Sequence, residues 1–188
     1  MFVALDLPRG VREGIGAWGR EALSDPALRP VAPEFLHVTL AFLGYRPQMD
    51  AKRVAAAMEE CVAPAPVVQL LDPVAKPTLR KARLFALPAP SAGAEQIQEQ
   101  LSELLAGEKL YTPEKRPFWP HVTAARVRPE GRGSRRAMAV DRPPGALPEA
   151  LSEPFYGVRL TLYRSVLQPQ GARYVPMAQV KLPGAGRQ

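Results

Sequence analysis

The chain of 188 residues holds a single cysteine, only two histidines and few aromatic residues, 7% in all. Cys61 alone cannot close an internal disulfide, so a reducing compartment, the cytoplasm, is the expected address. No apolar run approaches the ~20 residues that a membrane-crossing helix needs. The opening MFVALDLP is interrupted by Asp6 and Pro8 before it could act as a signal-peptide core. Negative charge is also scarce: 18 acidic residues against 25 Lys and Arg leave a formal net charge of +7. Such a surface attracts phosphates through long-range electrostatics and counterion release, which makes nucleic acid a candidate partner.

What is present is ordinary globular material. Hydrophobic residues make up 46% and charged ones 23%, which fits neither a disordered nor a membrane chain. The length suits one domain or two small, tightly packed lobes. The 22 prolines suit many short strands joined by stiff loops.

Hydrophobic spacing then divides the chain. MFVALDL reads as a strand. PRGVREGIGAWGREAL reads as a helix with Val11, Ile15, Trp18 and Leu23 on one face, weakened by Gly14, Gly16 and Gly19. EFLHVTLAFLG is a β-rich segment. MDAKRVAAAMEECV is predicted to be a helix with Asp50 near its N-cap and Val54, Met58 and Cys61 on the buried side. PVVQLLDPV and TLRKARLFALPAP read as strands with a turn around Lys76 and Pro77. SAGAEQIQEQLSELLAG is the clearest helix, capped by Ser91, striped by Ile97, Leu101, Leu104 and Leu105, and stopped at Gly107. PFWPHVTAARV is a further strand. Residues 128–149 are predicted to be a long surface loop with room for a short helix. EPFYGVRLTLYRSVL and ARYVPMAQVKL close the chain as strands, their hairpin turning through QPQG.

The two histidines stand in one local frame. His37 and His121 are each followed by Val and then Thr, although the chain has only five threonines. Random placement in this composition would produce the coincidence about once in a hundred thousand trials. A histidine on a strand most often serves as a hydrogen-bonded structural residue; a doubled HVT calls for more. Strand alternation puts His37 and Thr39 on one face and Val38 on the other, and repeats this for His121, Thr123 and Val122. Two such strands side by side would line one cleft with two imidazoles and two hydroxyls. One neutral and one protonated imidazole form a base and an acid near neutral pH, as displacement at phosphorus requires, and the hydroxyls can donate to the non-bridging oxygens. Two histidines with no Cys or paired carboxylates nearby fall short of a zinc site, so no metal and no cofactor is expected.

The segments FVALDLP, EFLHVTLAFLG, FWPHVTAAR and LTLYRSVLQPQGARYVPM, in that order, resemble the 2H phosphoesterase superfamily. Within it they are most similar to the RNA 2′,3′-cyclic phosphodiesterase branch, also called 2′-5′ RNA ligase-like. The resemblance implies an α+β fold: a single bilobal domain over residues 1–188, two antiparallel sheets facing a central cleft, helices outside, and one HVT motif from each lobe. It implies hydrolysis of an RNA-terminal 2′,3′-cyclic phosphate, or of a cyclic nucleotide, to a 2′-phosphate. His37 would be the proton donor, His121 the proton acceptor, and Thr39, Thr123 and Arg126 the phosphate-binding residues. Two alternatives stay open: a 2′-5′ RNA ligase joining cyclic-phosphate and 5′-hydroxyl ends, and a non-catalytic RNA-end-binding module. A monomer is the expected state.

By strict alternation Arg126 falls on the Val122 face, so a role at the phosphate requires a bulge or a strand ending near Ala125. Ala124 follows Thr123 where the family more often has a larger aliphatic residue. Parity also assigns Phe42 to the core and leaves Trp119 as a candidate for base stacking. Lys76, Arg80, Lys81 and Arg83 form a basic cluster that could guide an RNA backbone. Tyr45 and Arg46 could line the cleft mouth. Tyr163 and Tyr174 read as plain sheet residues, and Cys61 as core.

Overall fold

Each histidine strand pairs with the first long strand of its own half, and the two histidine strands then meet each other. The computed structural model describes residues 1–185 except 62, 132, 169 and 170. In chain order its elements are β1 (Phe2–Asp6), α1 (Arg9–Ala22), β2 (Leu28–Pro30), β3 (His37–Phe42), α2 (Asp50–Glu60), β4 (Val67–Val68), β5 (Val74–Lys76) and β6 (Leu84–Pro88). These are followed by α3 (Ala92–Gly107), β7 (His121–Val127), α4 (Glu149–Ser152), β8 (Phe155–Tyr156), β9 (Arg159–Gln168) and β10 (Gly171–Lys181).

The strands run antiparallel in the order β10-β9-β1-β3-β7-β6-β5, with β2 added to β7 and β4 paired with β8 as a separate ribbon. The fold is α+β, as expected. The sheets of the two halves join at a seam of one register pair, Val38 with Val122. Beneath the sheet, β1 is buried along its whole length, and Leu87, Ile97, Leu101, Leu160 and Leu162 are fully enclosed in a continuous apolar core. Among the described residues no helix is long and apolar enough to cross a membrane.

The glycines that weaken α1 as a sequence signal have a packing reason. A Cβ on Gly14 would lie 2.6 Å from the Leu151 side chain, and one on Gly16 would lie 2.6 Å from Pro33. Close approach outweighs intrinsic helix propensity here. Helix α3 starts as predicted, with the Ser91 hydroxyl accepting from the Ala94 amide at 3.1 Å. Asp50 lies near the N-cap of α2, as expected: it is the first helical residue, and Met49 takes the cap position without a side-chain hydrogen bond. Strand β2 was not anticipated, because three residues ending in proline have no legible alternation; its pairing is supplied by the free edge of β7. The 128–149 connection holds one isolated bridge, Pro129 with Ala137, and the short helix follows it. The predicted hairpin turn at 169–170 lies outside the described residues.

Both histidine strands carry a β-bulge, at matching positions. Along β1 the partners of Val3 and Ala4 are Ala41 and Thr39, which leaves Leu40 unpaired. Along β6 the partners of Phe85 and Ala86 are Ala125 and Thr123, which leaves Ala124 unpaired. The extra residue reverses the alternation: Leu40 and Ala41 are both buried, as are Ala124 and Ala125, and the next residues, Phe42 and Arg126, are exposed. The expected core position for Phe42 is thus overturned, since it is 60% exposed on the histidine side of the sheet.

Candidate active site

The Val38–Val122 pair sets the register around it. In an antiparallel pair, one step to either side places His37 across from Thr123 and Thr39 across from His121, all four on the face away from the buried valines. The imidazoles are diagonal neighbours there, a relation that spans roughly 7–8 Å between backbones. The bulge after Thr123 puts Arg126 on the same side.

Local backbone fixes which ring nitrogen is available. Nδ1 of His37 lies 2.6 Å from the Phe35 carbonyl oxygen, and Nδ1 of His121 lies 2.7 Å from that of Trp119. A carbonyl can only accept, so each Nδ1 carries a hydrogen and each Nε2 is left for chemistry. Nε2 of His37 is 3.1 Å from the Thr39 hydroxyl oxygen. Each ring is also stacked: His37 on Phe2 at 5.0 Å, and His121 on Trp119 at 4.2 Å. These contacts hold the rings upright over the sheet, and they take one face of Trp119, which was expected to be available for a base.

Burial lowers the proton affinity of both imidazoles below the ordinary value. Smaller influences differ between them. At His37 the Phe35 carbonyl and the Asp6 carboxylate oppose the lowering, whereas His121 and Arg126 add to it. At His121 the Trp119 carbonyl opposes it, and Lys76 and Arg126 add to it. Arg126 therefore acts on both rings, Asp6 only on the first and Lys76 only on the second. The Lys76 ammonium sits over Trp119, 4.2 Å from the ring centroid.

A cavity of about 900 Å³ opens beside Thr39 and His121. Phe42, Trp119 and Phe118 line it together with Lys76, Arg83 and Arg116, and Glu99 and Glu103 of α3 form the far wall. Of the predicted basic cluster, Lys76 and Arg83 reach this cavity; Arg80 and Lys81 lie in the exposed turn between β5 and β6. Tyr45, 96% exposed, and Arg46 are not among its walls. Cys61 is buried, as expected.

Sequence reasoning missed the surroundings of His37. Asp6, paired with it across β1 and β3, is buried, and Tyr163 and Tyr174 pack near the imidazole at 6.1 and 5.4 Å. Parity along MFVALDL gives the signal in retrospect: Phe2, Ala4 and Asp6 share a face, and an aspartate there points at whatever the neighbouring strand presents.

Comparison with known proteins agrees with this architecture. Residues 8–147 match the family model described as the 2′-5′ RNA ligase superfamily. The chain belongs to that superfamily, the 2H phosphoesterases. It is 27% identical over 177 residues to the RNA 2′,3′-cyclic phosphodiesterase of Escherichia coli, covering 94% of this chain and 93% of that one. To the enzyme of the same name from Thermus thermophilus it is 30% identical over 191 residues, covering 98% and 90%. Among solved structures, TT0787 of T. thermophilus superposes with a TM-score of 0.78 at 27% identity over 98% of both chains. E. coli LigT complexed with 3′-AMP gives 0.74 at 30% identity over 96% of both. With such relatives along almost its full length, the chain is an enzyme of this phosphoesterase family.

Proposed function

We propose that the protein hydrolyses the 2′,3′-cyclic phosphate at an RNA end to a 2′-phosphate, using His37 as proton donor and His121 as proton acceptor and no metal ion. The observation that supports this best is the placement of two Nδ1-locked imidazoles on one face, flanked by two threonine hydroxyls and Arg126. Nε2 of His121 takes a proton from water as its oxygen bonds to phosphorus. The phosphorus–O3′ bond breaks on the opposite side, and the Nε2 hydrogen of His37 passes to O3′, leaving a 3′-hydroxyl and a 2′-phosphate. Thr39, Thr123 and Arg126 donate to the non-bridging oxygens, where charge accumulates in the transition state.

The electrostatic difference between the rings favours this assignment over its reverse. Burial lowers both rings, and on top of that the Asp6 carboxylate favours the protonated form of His37 while Lys76 disfavours that of His121. The cavity next to His121 is large enough for a nucleotide, and its cationic side suits an RNA backbone. The two halves act as one bilobal domain, each supplying one HVT motif, and the enzyme works as a monomer in the cytoplasm.

The test is incubation of a short RNA ending in a 2′,3′-cyclic phosphate with the protein in EDTA, resolving the 2′- and 3′-phosphate products. Release of the 2′-phosphate alone, lost in His121→Ala, is expected. No turnover between pH 5 and 9 would overturn the reading. Ligation replaces water by an RNA 5′-hydroxyl, so adding a 5′-hydroxyl RNA measures that branch directly. A binding module would keep its function when one histidine is removed.

A further inference from the structure

The two histidines occupy equivalent positions, but the residues across from them do not match. On β6 the partner of His121 is Pro88, which has no charge. On β1 the partner of His37 is Asp6, whose side chain is 8% exposed. Three donors from alternate positions of β9 hold that carboxylate. Arg159 Nε and the Thr161 hydroxyl donate to Oδ2 at 2.7 and 2.9 Å, and the Tyr163 hydroxyl donates to Oδ1 at 2.9 Å. Burial, then the Asp6 charge, pushes the Tyr163 phenol up to about 12, so it stays a donor throughout the working range. A buried carboxylate with three donors is fixed in place.

We propose that Asp6 is a positioning residue that makes His37 the proton donor of the pair: its anchored carboxylate, across the strand from His37 where the position across from His121 is Pro88, stabilises the imidazolium of His37 in preference to that of His121. The proposal rests on the two-histidine reading above. Every charged or titratable group facing His37 enters the balance. Asp6 on β1 favours the imidazolium, and Arg159 on β9 offsets part of that charge. Arg126 and His121 on β7 oppose it, and the aromatic rings of Tyr163 on β9 and Tyr174 on β10 pack near the imidazole. Asp6 is the one anion in the set, so its removal has a defined sign.

The chain has only two histidines, which makes the test direct. Proton NMR of the imidazole Cε1–H signals, assigned with His121→Gln, gives both titration midpoints in wild type, Asp6→Asn and Arg159→Gln. Asp6→Asn is expected to lower the His37 midpoint by about one pH unit and leave that of His121 in place. Arg159→Gln, which frees the carboxylate of its counter-charge, is expected to raise the His37 midpoint. In the kcat/KM profile for cyclic phosphate, the alkaline limb follows His37 in both variants and the acid limb stays. Opposite shifts in the two variants distinguish an electrostatic role from a packing defect, which would lower turnover without moving either limb. An unmoved His37 midpoint, or both midpoints moving together, overturns the proposal. If Asp6→Asn does not fold, the sign of the Arg159→Gln shift decides. Absence of wild-type turnover would instead overturn the underlying reading, and with it the donor role, while the NMR shifts still report whether Asp6 acts on His37.

Discussion

Strands β3 and β7 share a tripeptide, a bulge and an imidazole-to-carbonyl hydrogen bond, yet beyond the bulge the edge of β7 is covered by β2 and no strand is laid along the edge of β3 among the described residues. The consequence is seen in two cavities. The smaller, about 490 Å³, lies between α1 and the segment around Pro30 and Pro33, and touches the bulge residue Ala124. The larger, about 900 Å³, lies between α3 and the segment around Pro113 and Arg116, and touches the bulge residue Leu40. Their walls correspond: Gly16, Gly19, Arg20 and Leu23 in one match Glu99, Ser102, Glu103 and Ala106 in the other, each 83 residues further along. Two glycines stand in the wall of the smaller cavity where Glu99 and Ser102 stand in the wall of the larger one. Of these two cavities, only the second includes a histidine among its walls. A repeated unit has thus been specialised: one half encloses its imidazole among aromatic rings and a carboxylate, the other leaves its imidazole beside space for a ligand.

The comparison breaks most sharply if the two rings do not act as a unit. His37→Ala and His121→Ala are each expected to lower kcat by about two to four orders of magnitude. The double variant is expected to lose little more than the worse single one, because a base without its acid completes no displacement. Losses that multiply would mean that the halves contribute independently. Single-turnover rates on a cyclic-phosphate RNA measure this.

Arg126 tests what the halves share. Arg126→Ala removes a charged donor to the phosphate, for an expected loss of about tenfold to a hundredfold in kcat/KM. It also removes a cation that lowers both imidazoles, so both limbs of the pH profile should move upward together. Movement of one limb alone would place Arg126 beside a single ring.

The smaller and larger cavities can be compared through stability. Gly16→Ala puts a Cβ 2.6 Å from Pro33 and is expected to cost about 1–3 kcal/mol by urea denaturation. At the matching position Glu99→Ala should change stability by less than about 0.5 kcal/mol, since Glu99 is exposed and lines the larger cavity. Equal costs would mean that the two walls are packed alike.

Much of this was legible in the sequence because it depends on local pattern. The doubled HVT, the parity of His37 with Thr39 and of His121 with Thr123, and the capped helix α3 all follow from short-range spacing. What was not legible depends on pairing. A bulge is a property of two strands, so alternation alone misplaced Phe42 and could not put Arg126 beside the histidines, a position that only the family resemblance implied. Strand β2 exists because β7 offers an edge. Asp6 becomes informative only when β9, which is distant in the chain, delivers Arg159, Thr161 and Tyr163 to it.

The smallest expected effect is the most specific. Lys76 faces His121 and not His37, and its ammonium is held over Trp119, the ring on which His121 stacks. Burial lowers both imidazoles, so both limbs of the wild-type kcat/KM profile should lie at lower pH than free imidazoles would give. The acid limb reports loss of the proton from the base. Replacing Lys76 by Met removes a nearby positive charge, lets His121 hold its proton to higher pH, and should raise the acid limb by a few tenths of a unit, about the size of a partly screened charge pair. The alkaline limb, set by His37, should not move. Asp6→Asn is expected to do the reverse, moving the alkaline limb alone. A Lys76→Met profile in which the alkaline limb moved instead would exchange the roles of the two histidines while leaving the geometry of the site intact.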